Sequence, residues 1–294
     1  MTFDIIPPFG TYALPPAREA WRKKAESYAD TRVGRALISR ARKKALNSED
    51  GPFDVEVDSG VFARLYPGGN RCEKRAFAGV QVWDLPERLA LKSAINVKTD
   101  APFVFLDVGA NVGLYSLYVN AYARQSDRAS QIIAIEPGVE TCARLEANIA
   151  ASKADVQIIR AAVSDAPGTG HLGGGDINRG EAKLSAQSSD TETVVIDTLP
   201  RIARTLGITR IDAMKVDIEG HDLKALTTFF EDASTKLHPA LLILETGREA
   251  VSPLIELCLT NDYVVSQRTK LNTILKKASL EEDLKAKEKH HVET

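Results

Sequence analysis

A glycine-containing turn that begins with an acid is the stretch whose residue types most clearly indicate chemistry. It occupies residues 103–116, with the sequence FVFLDVGANVGLYS. The apolar start is typical of a buried parallel strand, and Gly109 and Gly113 allow the backbone to turn tightly beneath a ligand. Asp107 ends that strand. A turn that binds pyrophosphate offers backbone amides and a helix N-terminus to negative charge, so an acid at this position favours a cationic ligand instead.

The ligand that fits such a turn carries positive charge and hydrogen-bond donors but no phosphate. S-adenosylmethionine, with a sulfonium and an ammonium group, has this chemistry. The sequence therefore predicts a cofactor site whose turn residues are Asp107, Gly109, Ala110, Asn111, Gly113 and Ser116. Nicotinamide dinucleotide is the weaker alternative, because Asn111 stands where the dinucleotide fingerprint has glycine.

A second acid, Glu136, ends the next predicted strand about 20 residues beyond the turn, where an acid in this topology accepts hydrogen bonds from both ribose hydroxyls. Together with the turn, it predicts a bound adenosine. Ser164 and Asp165 follow the third predicted strand and are candidates for meeting the adenine amino group. Alternatively, this pair only caps a turn.

A third cluster of charges lies in the segment KVDIEGHD, residues 215–222, at the end of the fourth predicted strand. Ligands of open α/β sheets bind beyond the carboxyl ends of the strands, at the point where the strand order reverses. We therefore expect Asp217 to face Asp107 and Glu136 across a crevice and to contact the cofactor. The alternative is a structural ion-pair network, since a buried strand rarely tolerates such charges unpaired.

The acids and the histidine of this segment are the candidates for catalysis. Asp217, Glu219 or His221 could remove a proton from an acceptor hydroxyl, although a histidine at the start of a helix is often only solvated. Asp222 is a further possible base. The same carboxylates could instead hold a divalent metal ion, an alternative that we do not favour.

The elements that must position these residues follow a strand-helix pattern from residue 103 onward. Strands are predicted at residues 103–107, 131–135, 156–163, 211–217 and 240–245, with helices at residues 112–123, 139–151 and 199–206. Residues 164–192, rich in glycine and serine, predict a loop with weak strands. This order predicts an α/β fold with a mostly parallel, doubly wound sheet and helices on both faces.

The chain divides into four predicted segments. Residues 1–50 form a cationic helical N-terminal arm, residues 51–98 a β-hairpin and a helix leading into the core, residues 99–278 the cofactor-binding domain, and residues 279–294 a charged, frayed tail. The arm is either a solvated helical element packed by its own apolar residues or a docking surface for an acidic membrane or a protein partner.

Composition narrows the class of protein. The chain of 294 residues has a net charge near −2, which argues against nucleic-acid binding by the whole chain. Its three cysteines are widely spaced and predict reduced core thiols in a cytoplasmic protein. The longest aliphatic run, residues 240–244, is far too short to span a bilayer, and the N-terminus lacks the apolar centre of a secretory signal.

The motifs DVGANVGLYS, IEP, TVVIDTL, IDAMKVDIEGHD and LLILET, spread over residues 55–266, resemble the FkbM family of S-adenosylmethionine-dependent methyltransferases. The resemblance implies the Rossmann-like class I methyltransferase fold with seven strands. It also implies methyl transfer to a hydroxyl oxygen, usually of a sugar, a glycan or a polyketide-type product, with S-adenosylhomocysteine released. Asp217, Glu219 and Gly220 match the family's D-x-E-G motif, whereas His221 and Asp222 depart from the residues that commonly follow it.

Three other classes of protein are alternatives, and the sequence argues against the first two. A nucleic-acid or amine methyltransferase would carry an Asn/Asp-Pro-Pro-aromatic motif after the fourth strand, and none is present. A nicotinamide-dependent oxidoreductase is disfavoured by the acid at the turn. A methyltransferase-fold protein without catalysis, anchored by the cationic arm, is the remaining alternative. No sequence pattern selects an oligomeric state.

Overall fold

The computed structural model describes residues 6–173, 183–185, 192–247 and 252–278. The N-terminal part contains α1 (Pro16–Glu26), α2 (Arg32–Leu46), β1 (Phe53–Asp58), β2 (Val61–Leu65), α3 (Arg71–Ala78) and α4 (Leu85–Ile95). The remaining part contains β3 (Phe103–Val108), α5 (Leu114–Gln125), β4 (Ser130–Ile135), α6 (Val139–Ser152), β5 (Gln157–Ile159), β6 (Ala162–Val163), β7 (Gly168–Gly173), β8 (Lys183–Ser185), β9 (Glu192–Asp197), α7 (Leu199–Thr205), β10 (Ala213–Val216), α8 (Asp222–Asp232), a 3₁₀ helix (Thr235–Leu237), β11 (Leu241–Glu245), α9 (Pro253–Leu259), β12 (Tyr263–Arg268) and β13 (Asn272–Lys277).

The central sheet has seven strands in the order β12-β13-β11-β10-β3-β4-β5. Strands β11, β10, β3, β4 and β5 run parallel to their neighbours, and β13 pairs antiparallel with both β11 and β12. From β3 the chain continues to β4 on one side, and from β10 it continues to β11 on the other. The strand order therefore reverses between β3 and β10, and the α/β fold class predicted from the sequence is confirmed.

Strand β3 is buried on both faces, as its uninterrupted apolar sequence predicts. Phe103 and Phe105 belong to one hydrophobic cluster, with the β1-β2 hairpin and α5. Val104, Leu106 and Val108 belong to another, with α7 and α8. This alternation has the two-residue period of a strand. The sheet is therefore covered on both sides, and only the ends of its strands remain open for a site.

The prediction of one continuous strand at residues 156–163 is wrong. The segment is broken at Arg160 and Ala161 into β5, which joins the central sheet, and β6, which pairs in parallel with β9. Strands β6, β9, β7 and β8 form a separate four-stranded sheet, so β9 and the start of the glycine-rich insertion are ordered by pairing with each other. The prediction of a loop at residues 174–182 and 186–191 lies outside the described residues.

The arm packs on the rest of the chain through both apolar and ionic contacts. Trp21 lies against the central hydrophobic cluster, and the ammonium groups of Lys24 and Lys44 lie 5.1 and 3.8 Å from its ring centroid. Arg22, with only 1% of its surface exposed, is ion-paired with Glu19 and Glu26. Part of the cationic character of the arm is thus neutralised inside the structure.

A buried ion pair fastens the first residues of the arm to the hairpin. Arg64 of β2 donates two hydrogen bonds to Asp54 of β1, at 2.7 and 2.9 Å. The same guanidinium donates to the carbonyl oxygens of Pro7 and Pro8, both at 2.8 Å. Asp54 also accepts from the amide nitrogen of Gly10 at 2.7 Å. One pair of opposite charges therefore orders the segment before α1.

Helix α3 lies in a part of the chain for which the sequence pattern predicts no element. Among the described residues, no helix combines the length and the apolarity that crossing a membrane requires. The predicted frayed tail, residues 279–294, lies outside the described residues.

Candidate active site

A large cleft opens at the carboxyl ends of β3, β4 and β10, where the strand order reverses. Its volume is about 860 Å³. Among the residues predicted for the site, those that line it are Asp107, Gly109, Ala110, Asn111, Glu136, Asp217 and Glu219. Residues of α2, α3, the start of α4 and the turn before β13 form the opposite walls. The arm and the hairpin region therefore contribute to the same cavity as the glycine turn.

Gly109 brings the two motifs of the site into contact. Its φ is +78°, and a Cβ atom at this position would lie 1.9 Å from the carbonyl oxygen of Asp217. The amide nitrogen of Asp217 in turn donates to the carbonyl oxygen of Val108 at 3.0 Å. Only glycine fits here, both because of the left-handed backbone and because of this close approach. The acid turn after β3 and the segment after β10 are thus held as one unit.

Asp107 is buried and only half satisfied. Its Oδ2 accepts from the amide and the hydroxyl of Ser116, at 3.0 and 2.7 Å. Its Oδ1 is buried and has no hydrogen-bond partner in the described part of the chain. Burial raises the pKa of Asp107, and the nearby ammonium of Lys215 opposes that shift. An unsatisfied buried carboxylate oxygen is costly, so this atom suits a ligand that brings a donor or a positive charge.

Glu136 is tied to the glycine turn by backbone hydrogen bonds. Its Oε2 accepts from the amide of Asn111 at 3.0 Å, and its Oε1 accepts from the amide of Gly138 at 3.2 Å. Asn111 has a φ of 51°, the left-handed conformation that asparagine tolerates better than most residues. Burial raises the pKa of Glu136 to about 7. The side chain therefore holds a fixed position beside the turn, with further acceptor capacity on both oxygens.

Lys215 and Asp217 form the charged centre of the crevice. The Lys215 side chain is buried, and its Nζ lies 2.9 Å from Oδ2 of Asp217 and 5.1 Å from the ring centroid of Tyr115. Burial alone would raise the pKa of Asp217, but the charge of Lys215 holds it below its usual range. Burial opposes the charge of Lys215. The negative charges of Asp217 and Asp107 outweigh this effect and raise the pKa of the lysine. Asp217 is therefore an ionised carboxylate inside the cleft.

Glu245, at the end of β11, is the carboxyl group that interacts directly with Asp217. Burial raises the pKa of Glu245 to about 8, and the negative charge of Asp217 and a hydrogen bond between the two carboxyl groups act in the same direction. Two carboxylates so close together do not both ionise at neutral pH. The pair therefore holds one proton, and the protonated Glu245 donates to Asp217.

Glu219 completes a group of three carboxylates. Asp217, Glu219 and Glu245 each offer one oxygen, and these oxygens lie within 4.8 Å of one another. Oxygens of this kind are the ligands that Mg²⁺ prefers, and a cation would relieve the same repulsion that the shared proton relieves. The donor set thus fits either a proton or a divalent ion.

Three predicted site residues lie together but do not line the cleft. Nδ1 of His221 is 3.2 Å from Oγ of Ser164, and that hydroxyl donates to Oδ1 of Asp165 at 2.8 Å. Near them, the cleft wall is formed by Ala161, Ala162 and Val163. His221 therefore does not line the cleft with Asp217, so a histidine general base at the acceptor gains no support from the geometry.

Some of the predicted site residues do not line the cleft but stabilise the turns that do. Ser116 holds Asp107, and a Cβ atom on Gly113 would lie 2.2 Å from Cδ1 of Leu145, so the turn packs closely on α6. Asp222 accepts from the amides of Ile218 and Gly220, both at 3.1 Å. Both of its oxygens are therefore used to shape the turn after β10, which makes Asp222 a poor general base.

Several residues of the cleft walls escape prediction from the sequence. Glu87 of α4 is buried, and its Oε1 accepts from Thr269 and Asn272 at 2.8 and 2.7 Å. Arg42 of α2 also lines the cleft. Both lie in helices whose sequences look amphipathic and charged, and no motif distinguishes them from solvated residues. Glu245 had a signal, since it ends a predicted strand on the same rim.

Comparison with known proteins identifies the domain. The family model described as the methyltransferase FkbM domain matches residues 107–264, from the acid of the glycine turn to β12. A curated relative is the AMB antimetabolite synthetase AmbE of Pseudomonas aeruginosa, which is 26% identical over 187 residues. That match covers 51% of this chain but only 9% of the synthetase, so the chain spans a small part of the length of that relative.

Solved structures of methyltransferases also resemble the chain. The methyltransferase FkbM from Methylobacillus flagellatus is 15% identical, with a TM-score of 0.41, and the match covers 87% of this chain and 57% of that one. A SAM-dependent methyltransferase from Agrobacterium tumefaciens is 13% identical, with a TM-score of 0.43, covering 77% and 70% of the two chains. The family match spans more than half of the sequence and contains both the glycine turn and the segment after β10. The chain belongs to the methyltransferase FkbM domain family.

Proposed function

We propose that this methyltransferase transfers the methyl group of S-adenosylmethionine to a hydroxyl oxygen of a sugar, a glycan or glycolipid, or a polyketide-like product. The observation that carries the proposal is the buried Oδ1 of Asp107, which has no partner in the described residues and lies at the glycine turn. A cationic cofactor with N–H donors satisfies this atom, whereas a pyrophosphate would be repelled by it.

The residues that would hold the cofactor lie around the turn. Asp107 and the backbone from Gly109 to Asn111 line the cleft, and Glu136 is fixed beside them. The glutamate carboxylate keeps capacity to accept from ribose hydroxyls, as the sequence motif predicts. When bound, S-adenosylmethionine supplies an electrophilic methyl group. Ser164 and Asp165 stay predicted contacts of adenine that need a rearrangement to reach the cleft.

The acceptor hydroxyl meets the carboxylates on the other side of the crevice. An alcohol is a poor nucleophile, and a positioned base adds about 10²- to 10⁴-fold to the rate. Asp217 is ionised and lines the cleft, so it can accept the hydroxyl proton, while Lys215 keeps its carboxylate in place. Glu219 and Glu245 can bind further hydroxyls of the acceptor. Holding the oxygen in line supplies the rest of the acceleration.

A divalent ion bound by Asp217, Glu219 and Glu245 is the alternative role of these acids. It would orient hydroxyls of the acceptor in place of the shared proton. Dialysis against EDTA, followed by assay with and without added Mg²⁺, separates the two roles. We expect full activity after dialysis, and activity that returns only with the metal would establish the alternative.

The proposed partner is a small-molecule or glycan acceptor rather than a nucleic acid. We also propose a cytoplasmic location, which is supported by three cysteines without a disulfide bond. Contact of the arm with a membrane surface or a protein is a further possibility for its outward-facing bases.

The cofactor assignment is tested by calorimetric titration of the full chain with S-adenosylmethionine and with NADH. We expect binding of S-adenosylmethionine alone, and its loss in Asp107→Asn. The matched control is Asp100→Asn, which removes the same charge from an exposed position. Normal affinity in Asp107→Asn, or binding of NADH alone, would refute the assignment.

The acceptor class is tested by incubating the enzyme with methyl-labelled S-adenosylmethionine and extracts of glycans and lipids. A labelled methyl ether in a carbohydrate or polyketide fraction is the expected product. Cofactor binding without any labelled product, unchanged in Asp217→Asn and Glu219→Gln, would favour a methyltransferase fold without catalysis.

A further inference from the structure

The cleft continues past the cofactor turn to a second end formed by the arm. Helix α2 contributes Arg35, Ile38, Ser39 and Arg42, whose spacing places them on one helical face. Helix α3 contributes Arg71, Cys72 and Arg75. The four residues of α2 lie on one face of the helix and line the cleft. The inner face of the arm is therefore part of the cavity.

The lining of the cleft is mostly acidic at the strands, whereas at the arm it contains both arginines and acids. The end at the strands carries the acids Asp107, Glu136, Asp217, Glu219 and Glu245, whereas the end at the arm carries Arg35, Arg42, Arg71 and Arg75. Four acids also line this end, and each has a partner. Asp30 pairs with Arg35 at 2.5 Å, Asp84 pairs with Arg75 at 2.8 Å, and Glu73 pairs with Arg144 at 2.6 Å. Glu87 accepts from Thr269 and Asn272. None of these contacts involves Arg42.

Arg42 is the arginine at this end whose charge is not balanced by an acid. Its Nε is buried and has no hydrogen-bond partner among the described residues. Burial lowers the pKa of Arg42, and no acid counteracts this shift. A partly buried guanidinium without a partner is costly, and proteins keep such a group where something outside the chain satisfies it. The lining position of Arg42 makes a ligand in the cleft the natural source of that partner.

We propose that the arm end of the cleft binds a phosphate group of the methyl acceptor, with Arg42 as the central residue of this subsite. The inference rests on the proposed function and specifies its substrate as a phosphorylated alcohol. A phosphate matches the forked donors of arginine, and its two negative charges suit a site with more than one guanidinium. The hydroxyl of Ser39, on the same face, can donate to a phosphate oxygen.

The same chemistry can come from a soluble sugar phosphate or from a lipid-linked phosphate. In either case the acceptor spans the cleft, with its anionic end at the arm and its hydroxyl near Asp217. The cationic donor then binds at the acidic turn and the phosphate of the acceptor binds at Arg42, so neither competes for the site of the other.

The test is titration of the full chain with inorganic phosphate and with glucose 6-phosphate at constant ionic strength. Arg42→Gln should weaken both by about tenfold or more, since hydrogen bonds to charged groups are strong. Arg42→Lys should retain part of the affinity. The matched control is Arg40→Gln, an exposed arginine of the same helix that does not line the cleft, and its affinity should equal that of the wild type. Equal binding in Arg42→Gln and the wild type would overturn the subsite.

A second measurement needs no variant. Phosphate should protect Arg42, but not Arg40, from modification by phenylglyoxal, as read by peptide mass spectrometry. Equal modification of Arg42 with and without phosphate would overturn the proposal, even if Arg42→Gln failed to fold.

Vesicles of phosphatidylcholine with and without phosphatidic acid distinguish the two sources. Sedimentation with phosphatidic acid that needs Arg42 indicates a lipid-linked acceptor, and binding of glucose 6-phosphate alone indicates a soluble one. Binding of either that is independent of Arg42 contradicts the subsite.

The affinity for S-adenosylmethionine, measured on the same variants, keeps the two proposals separate. Phosphate binding that needs Arg42 in a chain that binds no S-adenosylmethionine would reject the proposed function alone. Methyl transfer that is unaffected by Arg42→Gln would reject the subsite alone.

Discussion

At the residue scale, the carboxyl pair of Asp217 and Glu245 should determine the pH dependence of the reaction. The pKa of Glu245 is raised to about 8 because of burial and the charge of Asp217. Below that pH the pair holds a proton and is a weak base, and above it the pair is fully ionised. We therefore expect kcat/KM for methyl transfer to rise with pH and to level off above about 8.

The variant Glu245→Gln checks this assignment. An amide donates to Asp217 at every pH, so the inflection near pH 8 should disappear and the rate at pH 9 should fall by about tenfold or more. Glu256→Gln, at an exposed position of α9, should keep the wild-type profile. An inflection that persists in Glu245→Gln would show that another group titrates.

At the residue scale, the position of a residue follows from the sequence where a motif constrains the backbone. Asp107, Gly109 and Glu136 line the cleft because strand ends and glycine turns determine their positions, and their contact with the cofactor stays a prediction. His221 and Ser164 were placed by their distance along the chain from a strand end. Their side chains instead contact each other, and side-chain direction after a turn does not follow from spacing.

At the scale of the secondary-structure elements, Gly109 in the turn after β3 contributes to the free energy of unfolding. In Gly109→Ala, the new methyl group meets the carbonyl of Asp217, and the backbone stays in a left-handed conformation with a φ of +78°. We expect a loss of at least about 3 kcal/mol in the free energy of unfolding and loss of cofactor binding.

Gly207→Ala is the matched control for this substitution, measured by urea denaturation. Its φ is +65°, but nothing lies within 4 Å of the added Cβ. Only the backbone cost of about 1–2 kcal/mol should appear. Similar losses in the two variants would mean that contact with Asp217 adds nothing.

The hairpin depends on the buried ion pair between Arg64 and Asp54. The variant Arg64→Met leaves the carboxylate of Asp54 buried without its partner and frees the segment before α1. We expect the free energy of unfolding to fall by about 3–5 kcal/mol in urea denaturation. Arg201→Met breaks the exposed pair with Asp197 and should cost less than about 1 kcal/mol. Equal effects would contradict a structural role for the buried pair.

The elements themselves were predictable where they were long and periodic. The strands of the central sheet and the hairpin follow from apolar runs, alternation and turn residues. The break at Arg160 and Ala161 was not predictable. Residues 158–163 are apolar except for Arg160, and β5 and β6 are separated by pairing with different strands that are distant in sequence. Such tertiary pairing overrides the local pattern.

For the whole molecule, the buried acids predict that stability falls in mildly alkaline solution. Burial raises the pKa of Glu136 to about 7, and that of Glu245 to about 8, so the folded state holds protons that the unfolded state has released. Unfolding free energy must then decrease as pH rises through these values.

Between pH 6.5 and 8.5 we expect a decrease of about 1–2 kcal/mol, after the contribution of the partly exposed Glu245 is discounted for screening. Urea denaturation at pH 6.5, 7.5 and 8.5 measures it. A free energy of unfolding that stays level or increases over this range would contradict the burial of charge described for the crevice.

At this scale the arm was the least predictable part. Its basic composition indicated a solvated or docking surface, yet one face of α2 lines the cleft and Arg22 is buried in ion pairs. Composition counts the charges of a helix but does not say which side of it faces inward. That information comes from the core on which the helix packs.

Lys215 has a consequence for the timing of catalysis, because its one ammonium interacts with both acidic groups of the crevice. It bonds to Asp217 and also acts electrostatically on Asp107. A positive donor bound at Asp107 must lower the proton affinity of the pair on the acceptor side, and coupling of this kind is reciprocal. With S-adenosylmethionine as the donor, transfer of the methyl group would leave a neutral sulfur, and the proton affinity of the pair would rise again toward its value in the empty crevice. With the proposed acceptor, more of the pair would therefore be ionised and able to accept the hydroxyl proton while the charged donor is bound than after methyl transfer.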